Sequence, residues 1–223
     1  MQKCRLVKGF LIILNTTDSK WEIYKKIKAL LPELKCELNY NNMFELLVAV
    51  VLSAQCTDKR VNLVTPTLFA KYPTPYAMAK ADMDDLKAII HSCGTYTVKA
   101  RNIKALSQSL VDNFGGQVPR TMEELTTLAG VGRKTASVVL AEGYKIPAFP
   151  VDTHILRVCN RLGFVHSSDP VVVENRMKQL FPEENWIELH YLLLLFGRYH
   201  CKAVGYSCEN CVLHDVCKFD QKK

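Results

Sequence analysis

The chain has 223 residues and a mass of 25.3 kDa, with 48% hydrophobic, 23% charged and 9% aromatic residues, the balance of a globular protein rather than a disordered or fibrous one. That size buries enough apolar surface to fold without disulfide staples, so the nine cysteines need another explanation. The formal charge of +7 favours a polyanionic partner only mildly, and +5 of it lies in residues 1–35, where eight Lys/Arg stand against three Asp/Glu and no chemistry is evident.

In chain order, Phe10 to Leu14 follows a basic stretch as in a secretory signal. Five apolar residues are too few for one, and no small-residue cleavage site comes before Asn15 to Asp18, so a cytoplasmic protein is expected. Periodicity predicts helices over Lys20–Leu31, stopped by Pro32, and over Met43–Leu52. It predicts further helices over Arg60–Tyr72, Asp82–Ile90, Thr97–Phe114, Met122–Leu128, Lys134–Glu142, His154–Leu162, Pro170–Leu180 and Trp186–Tyr199, joined by short loops carrying Gly or Pro. No stretch alternates with hairpin turns, so the expected architecture is all-α. The longest apolar runs, Leu46–Leu52 and Tyr191–Phe196, fall far short of the roughly 20 residues that a membrane helix needs.

Three constellations carry chemistry. Leu128-Ala129-Gly130-Val131-Gly132-Arg133-Lys134-Thr135-Ala136 is a tight Gly-x-Gly turn between two apolar helical stretches. Such a turn exposes successive amides at a helix start and can hold an anion. It lacks the gap and ending of a nucleotide-binding loop, which makes a DNA phosphate the better ligand, although an ordinary helix–helix turn would carry the same residues. Cys201-x6-Cys208-x2-Cys211-x5-Cys217 places four thiols within 17 residues, enough for a tetrahedral zinc or a four-iron cluster. Only Cys208 and Cys211 form the close pair that zinc sites use, so spacing leans modestly away from zinc. Cys4, Cys36, Cys56, Cys93 and Cys159 stand apart and read as core or incidental thiols. Finally, Pro150-Val151-Asp152-Thr153-His154 puts Asp152 at a helix start, where it caps and could also face a cavity containing Lys134, an amine nucleophile beside an electrostatic stabiliser.

Together these residues resemble endonuclease III, within the helix-hairpin-helix DNA glycosylases. The carriers are Leu52-Ser53-Ala54-Gln55-x-Thr57-Asp58, Val131 to Ala136, Val151 to His154, Arg157 to Arg161, Gly197-Arg198-Tyr199 and the four-cysteine array, spanning about Leu30 to Cys217. The resemblance implies two helical lobes flanking a DNA-binding cleft. One is a six-helix barrel with the helix-hairpin-helix over 36–146, the other a terminal lobe from 1–35 and 147–223 that holds a 4Fe-4S cluster on Cys201, Cys208, Cys211 and Cys217. It implies Lys134 as nucleophile at the sugar C1′ and Asp152 as the carboxylate that stabilises positive charge. Gln55 would fill the gap left by an extruded nucleotide. DNA contacts would come from Gln55, Thr95, Gly130, Val131, Gly132, Arg133, Thr135 and Lys202.

The implied activity is that of a bifunctional DNA glycosylase and abasic-site lyase, a monomer removing oxidised pyrimidines from duplex DNA in base excision repair. Alternatives are a glycosylase for another damaged base, an enzyme retaining mainly the lyase step, and a non-catalytic iron-sulfur DNA-binding protein, which would need neither Lys134 nor Asp152. The chain departs from the family pattern at several positions. Thr95 stands where a bulky apolar wedge is common, Ala129 where Pro is usual, Ser137 for Asn and Phe196 for His, and Pro150 precedes Val151. These bear on substrate range and opposite-base preference and leave the catalytic pair intact.

Overall fold

The computed structural model describes residues 16–219; the apolar run Phe10–Leu14 and Cys4 lie outside them. Among the described residues there is no strand, as expected for an all-α chain. The helices are α1 (Thr16–Leu30), α2 (Met43–Ser53), α3 (Asp58–Lys71), α4 (Pro75–Ala79), α5 (Met83–Ile90), α6 (Tyr96–Phe114), α7 (Met122–Thr126), α8 (Arg133–Val138), α9 (Thr153–Arg161), α10 (Pro170–Leu180) and α11 (Trp186–Tyr199). Most begin where a short polar side chain can accept from an amide left free in the first turn. Asn42 accepts from the Glu45 amide, Thr57 from Arg60, Thr121 from Glu124 and Asp169 from Val171. No helix of the described residues is long and apolar enough to cross a membrane.

Two departures from the sequence-based expectations have local causes. The short helix α4 was not expected; it is started by the Thr74 cap and Pro75 at its first position, and five residues are too few to register as a period. The helix expected over Lys134–Glu142 is α-helical only to Val138 and continues as a π-helical turn, Val139–Gly143. At that turn the backbone meets the start of α2 so closely that a Cβ on Gly143 would lie 2.3 Å from Met43 Cε.

Buried side chains fall into two clusters. One runs from Leu38 to Ala148 and is built on α2, whose residues Leu46, Leu47, Val48, Ala49 and Leu52 are fully buried. The other joins Ile23, Tyr24 and Ile27 of α1 to residues from Phe149 to Leu213. Helix α11 is central to the second cluster, through Leu189, Leu192, Leu193 and Phe196, while Ile187 packs on the first. Arg157 of α9 donates to the carbonyls of Gly197 (2.7 Å) and Cys201 (3.1 Å), tying α9 to the end of α11 and the cysteine segment.

Helices α9 and α11 approach closely at Gly197, where an added Cβ would lie 3.0 Å from both His154 Cβ and Val158 Cγ2 and 3.2 Å from the His154 carbonyl. Gly197→Ala should therefore lower the unfolding free energy by about 1–3 kcal/mol through overpacking, despite the better helix propensity of alanine. Equilibrium denaturant unfolding checks this; an unchanged or raised midpoint would refute it.

Candidate active site and cysteine site

Lys134 sits in the first turn of α8, after a turn whose shape is fixed by Gly130. That glycine has φ +78°, and a Cβ there would lie 2.7 Å from Asn102 Nδ2, so both conformation and space exclude a side chain. Gly132 caps α8 without a side chain, and the first amides of the helix have no intrahelical acceptor. The Lys134 side chain is exposed. Asp152 is the N-cap of α9, its Oδ1 accepting from the Ile155 amide at 2.9 Å, while its other oxygen has no hydrogen bond to the described residues. Lys134 and Asp152 line one cavity of about 130 Å³ between the two clusters, with Asp58, His190, Tyr191 and Arg198.

The last three come from α11 and Asp58 from the start of α3. Arg198 donates to Asp58 Oδ2 at 2.8 Å and pairs with Glu37, which also accepts from the Tyr199 hydroxyl. Burial alone would depress the Arg198 guanidinium; its two carboxylates outweigh that and raise it. Tyr191 donates to Glu142 Oε2 at 2.6 Å, and Tyr40 to Glu142 Oε1 at 2.5 Å. This fastens α11 to the π-helical turn that follows α8. Burial, then the Glu142 carboxylate, holds the Tyr191 phenol far above its ordinary range, so it remains a donor. His190 is buried, and its Nδ1 lies 2.9 Å from the Pro150 carbonyl. The sequence reading assigned no role to His190, Tyr191 or Glu142. The available signal was the placement of His190 and Arg198, eight residues apart, on the α11 face that carries Leu194 between them.

The residues expected at DNA divide into three groups. Gln55 and Thr95 are exposed at neighbouring loops, and both hold left-handed backbone, with φ of 52° and 54°. A Cβ on Gly94 would stand 3.7 Å from the Gln55 carbonyl, so the two loops touch. Thr135 is half-buried at the cavity and Lys202 is exposed beside the cysteines. Val131, by contrast, is buried in the first cluster with its amide donating to the Leu128 carbonyl at 3.1 Å. Arg133 is engaged in two 2.9 Å bonds with the buried Glu174 of α10, which also accepts from Lys178. In this arrangement Arg133 fastens the hairpin to the other cluster.

Cys201, Cys208, Cys211 and Cys217 are all free and line a single cavity with Arg161 and Leu213. Two N–H donors point at its sulfurs: Arg161 Nη1 to Cys201 Sγ at 3.3 Å and the Leu213 amide to Cys211 Sγ at 3.4 Å. Arg161 itself packs against the rings of Tyr206 and Phe219, which meet edge-on, at 4.3 and 4.6 Å from their centroids. Among the described residues no three His, Cys, Asp or Glu side chains converge on a single-ion site. Four soft donors around one cavity, with hydrogen bonds aimed at sulfur, suit a multi-iron cluster, whose potential such bonds tune.

Burial works against the Glu174 carboxylate, but hydrogen bonds from Arg133 and Lys178 outweigh it and hold its pKa below the ordinary value. A carboxyl depressed in the folded state contributes stability that is present above its unfolded pKa, about 4.3, and lost as pH falls through the folded value. Glu174→Gln should therefore destabilise at neutral pH and flatten the acid side of the stability profile below about pH 4.3. Denaturant midpoints measured from pH 2.5 to 7 test this; parallel profiles for the two proteins would refute it.

Residues 48–183 match the family described as HhH-GPD superfamily base excision DNA repair protein. Endonuclease III of Bacillus subtilis is 46% identical over 199 residues, 89% of this chain and 91% of that one. Endonuclease III of Haemophilus influenzae is 43% identical over 201 residues, 90% and 95% of the two chains. The fold superposes on a non-covalent endonuclease III–DNA complex with a TM-score of 0.87 at 44% identity, covering 92% of this chain and 96% of that one. It superposes on a trapped endonuclease III–DNA covalent intermediate with a TM-score of 0.85 at 45% identity, covering 90% and 95%. A match of this extent, carried by a chain that sets a hairpin lysine and a capping aspartate on one cavity, means that the protein belongs to the endonuclease III family of HhH-GPD base excision DNA repair proteins.

Proposed function

We infer that this chain is a bifunctional DNA glycosylase and abasic-site lyase that removes oxidised pyrimidines from duplex DNA. The observation that carries the reading is the placement of Lys134 and Asp152 on one cavity, an amine and a carboxylate contributed by different helix starts. A damaged base turned out of the stack brings its C1′ to the Lys134 amine. The amine nitrogen bonds to C1′ as the C1′–base bond breaks, and the base leaves with that electron pair and takes up a proton. Loss of the amine proton and opening of the sugar give a protonated Schiff base, whose positive charge Asp152 stabilises. Removal of a C2′ proton then expels the 3′ phosphate by β-elimination, and water releases Lys134.

Supporting features follow from the same geometry. The first amides of α8 and the exposed Lys202 offer contacts to backbone phosphate. Gln55 and Thr95, at touching loops, enter the duplex to hold the space vacated by the nucleotide. The chain works as a cytoplasmic monomer, with 36–146 as the barrel lobe and the remainder as the cluster lobe, a division supported by the two packing clusters. Cys201, Cys208, Cys211 and Cys217 hold a 4Fe-4S cluster, which when bound supplies a rigid crosslink through the segment that carries Lys202.

Lys134→Gln should abolish borohydride trapping on abasic DNA while leaving duplex binding within about threefold, since it removes the nucleophile and one of several cationic contacts. Asp152→Asn retains an N-cap acceptor and should lower single-turnover cleavage by about 100-fold or more with little change in affinity, because the charge matters where positive charge develops. Undiminished trapping by the lysine variant would sink the nucleophile assignment. For the second site, anaerobically purified protein should contain iron and sulfide, with soluble yield falling for Cys→Ala at any of the four positions because metal binding is coupled to local folding. Stoichiometric zinc without iron would refute the cluster.

A further inference from the structure

The reaction needs Lys134 and Asp152 at a fixed separation, yet the segment that presents Asp152, Phe149 to Asp152, is not helical and makes few backbone hydrogen bonds of its own. One buried side chain addresses it directly. His190, 5% exposed on the middle of α11, has Nδ1 2.9 Å from the carbonyl of Pro150, two residues before Asp152. A carbonyl oxygen only accepts, so Nδ1 carries the proton, which makes Nε2 the acceptor of the ring. Nε2 has no protein hydrogen bond, and no fully buried side-chain nitrogen or oxygen among the described residues is left unpartnered. This nitrogen is therefore the edge of the ring that opens on the cavity shared with Lys134 and Asp152.

We propose that His190 is a positioning residue for the Lys134–Asp152 pair: its Nδ1–H holds the Asp152 turn at the Pro150 carbonyl and leaves a neutral Nε2 acceptor inside the catalytic cavity. This rests on the assignment of Lys134 as nucleophile. Three features make the contact stiff. Pro150 is buried and its ring fixes φ, which restricts where its carbonyl can point. The imidazole packs edge-on against Phe149 and against Tyr191, with ring centroids 6.4 and 5.1 Å away. Its backbone belongs to a fourteen-residue helix that is fastened on the far side of the cavity by the adjacent Tyr191–Glu142 bond. Burial pushes the imidazole down to about 4, so it stays uncharged beside the Lys134 amine throughout the working range.

Asparagine and glutamine separate the two ring nitrogens, because an asparagine amide nitrogen stands near the place of Nδ1 and a glutamine amide nitrogen near that of Nε2. His190→Asn should keep the bond to Pro150 and recover borohydride trapping on abasic DNA to within about threefold of the parent rate. His190→Gln should lose that bond and lower the trapping rate at saturating enzyme by about tenfold or more, the scale set by small misplacements of reacting groups. Affinity for a duplex carrying an uncleavable tetrahydrofuran abasic analogue should stay within about twofold for both. A residue of merely structural importance would lower thermal stability in the two variants alike and would not split rate from affinity. Equal trapping rates in the two variants, or a loss in His190→Gln that follows weakened binding, would overturn the proposal. Trapping that persists in Lys134→Gln would instead overturn the nucleophile assignment and this inference with it.

Discussion

Lys134 and Asp152 stand on segments anchored in different packing clusters, through Val131 and Ala136 in one and Val151 and Ile155 in the other, and that separation is the constraint on which the remaining architecture depends. Hydrophobic burial is non-directional and tolerates small shifts between packed bodies, whereas a nucleophile displaced by about 1 Å can lose 100-fold in rate. Directional contacts supply what packing does not. Helix α11 passes the cavity and makes three of them: His190 to Pro150 beside Asp152, Tyr191 to Glu142 beyond α8, and Arg198 to Asp58 at the start of α3. Arg133 adds a fourth, from the residue before Lys134 to Glu174 of α10. Each is wholly or partly buried, where breaking one partner leaves a polar group without water and costs more than the bond's net worth.

The opposite mechanical logic governs the two loops proposed to meet DNA. Gln55 and Thr95 are exposed and both hold left-handed backbone, a region that β-branched residues such as threonine rarely enter. Thr95 caps α6 without a side-chain bond to the helix; its hydroxyl donates instead to the Gly94 carbonyl at 2.7 Å. Conformations of this kind cost on the order of 1–3 kcal/mol and persist where surrounding structure over-determines them. Here the loops are braced from below by the buried Cys93 and by Lys99, whose Nζ donates to the Cys93 carbonyl at 3.2 Å. The strain presents Gln55 and Thr95 outward from a braced base, so in the proposed intrusion into a duplex the loops enter already ordered.

Much of this was legible in the sequence, and the boundary of legibility has a physical cause. Helices α2, α6 and α11 announced themselves through long apolar periods, and the hairpin through its Gly-x-Gly pattern, of which Gly130 is the position that no other residue fits. Asp152 was readable as a cap because capping is a local hydrogen bond. Glu142 and His190 were not readable, because a buried polar residue in a helical period looks like any other until the partner carbonyl or hydroxyl, between 40 and 102 residues away in sequence, is brought to it. Arg133 shows the same limit. Its place on the hairpin suggests phosphate, while tertiary structure supplies Glu174, 41 residues on.

The cysteines show how tertiary environment divides residues of one type between roles. Burial pushes the Cys36 and Cys93 thiols up to about 11 and the fully buried Cys159 higher still, so these three stay protonated, Cys93 and Cys159 as small apolar core groups and Cys36 half-buried in the wall of the cavity that holds Lys134 and Asp152. The four C-terminal cysteines are only half-buried, and the guanidinium of Arg161 and the Leu213 amide are turned toward two of their sulfurs. Donors directed at sulfur favour the thiolate, the form that binds metal, although at Cys211 burial outweighs the Leu213 amide and leaves the thiol raised. Arg161 cannot easily turn away, being packed against two aromatic rings and bonded to the Lys202 carbonyl at 2.7 Å. The same side chain therefore touches both the cysteine cavity and the backbone of Lys202, so that under the proposed function cluster binding is coupled to the placement of that lysine at the edge of the fold.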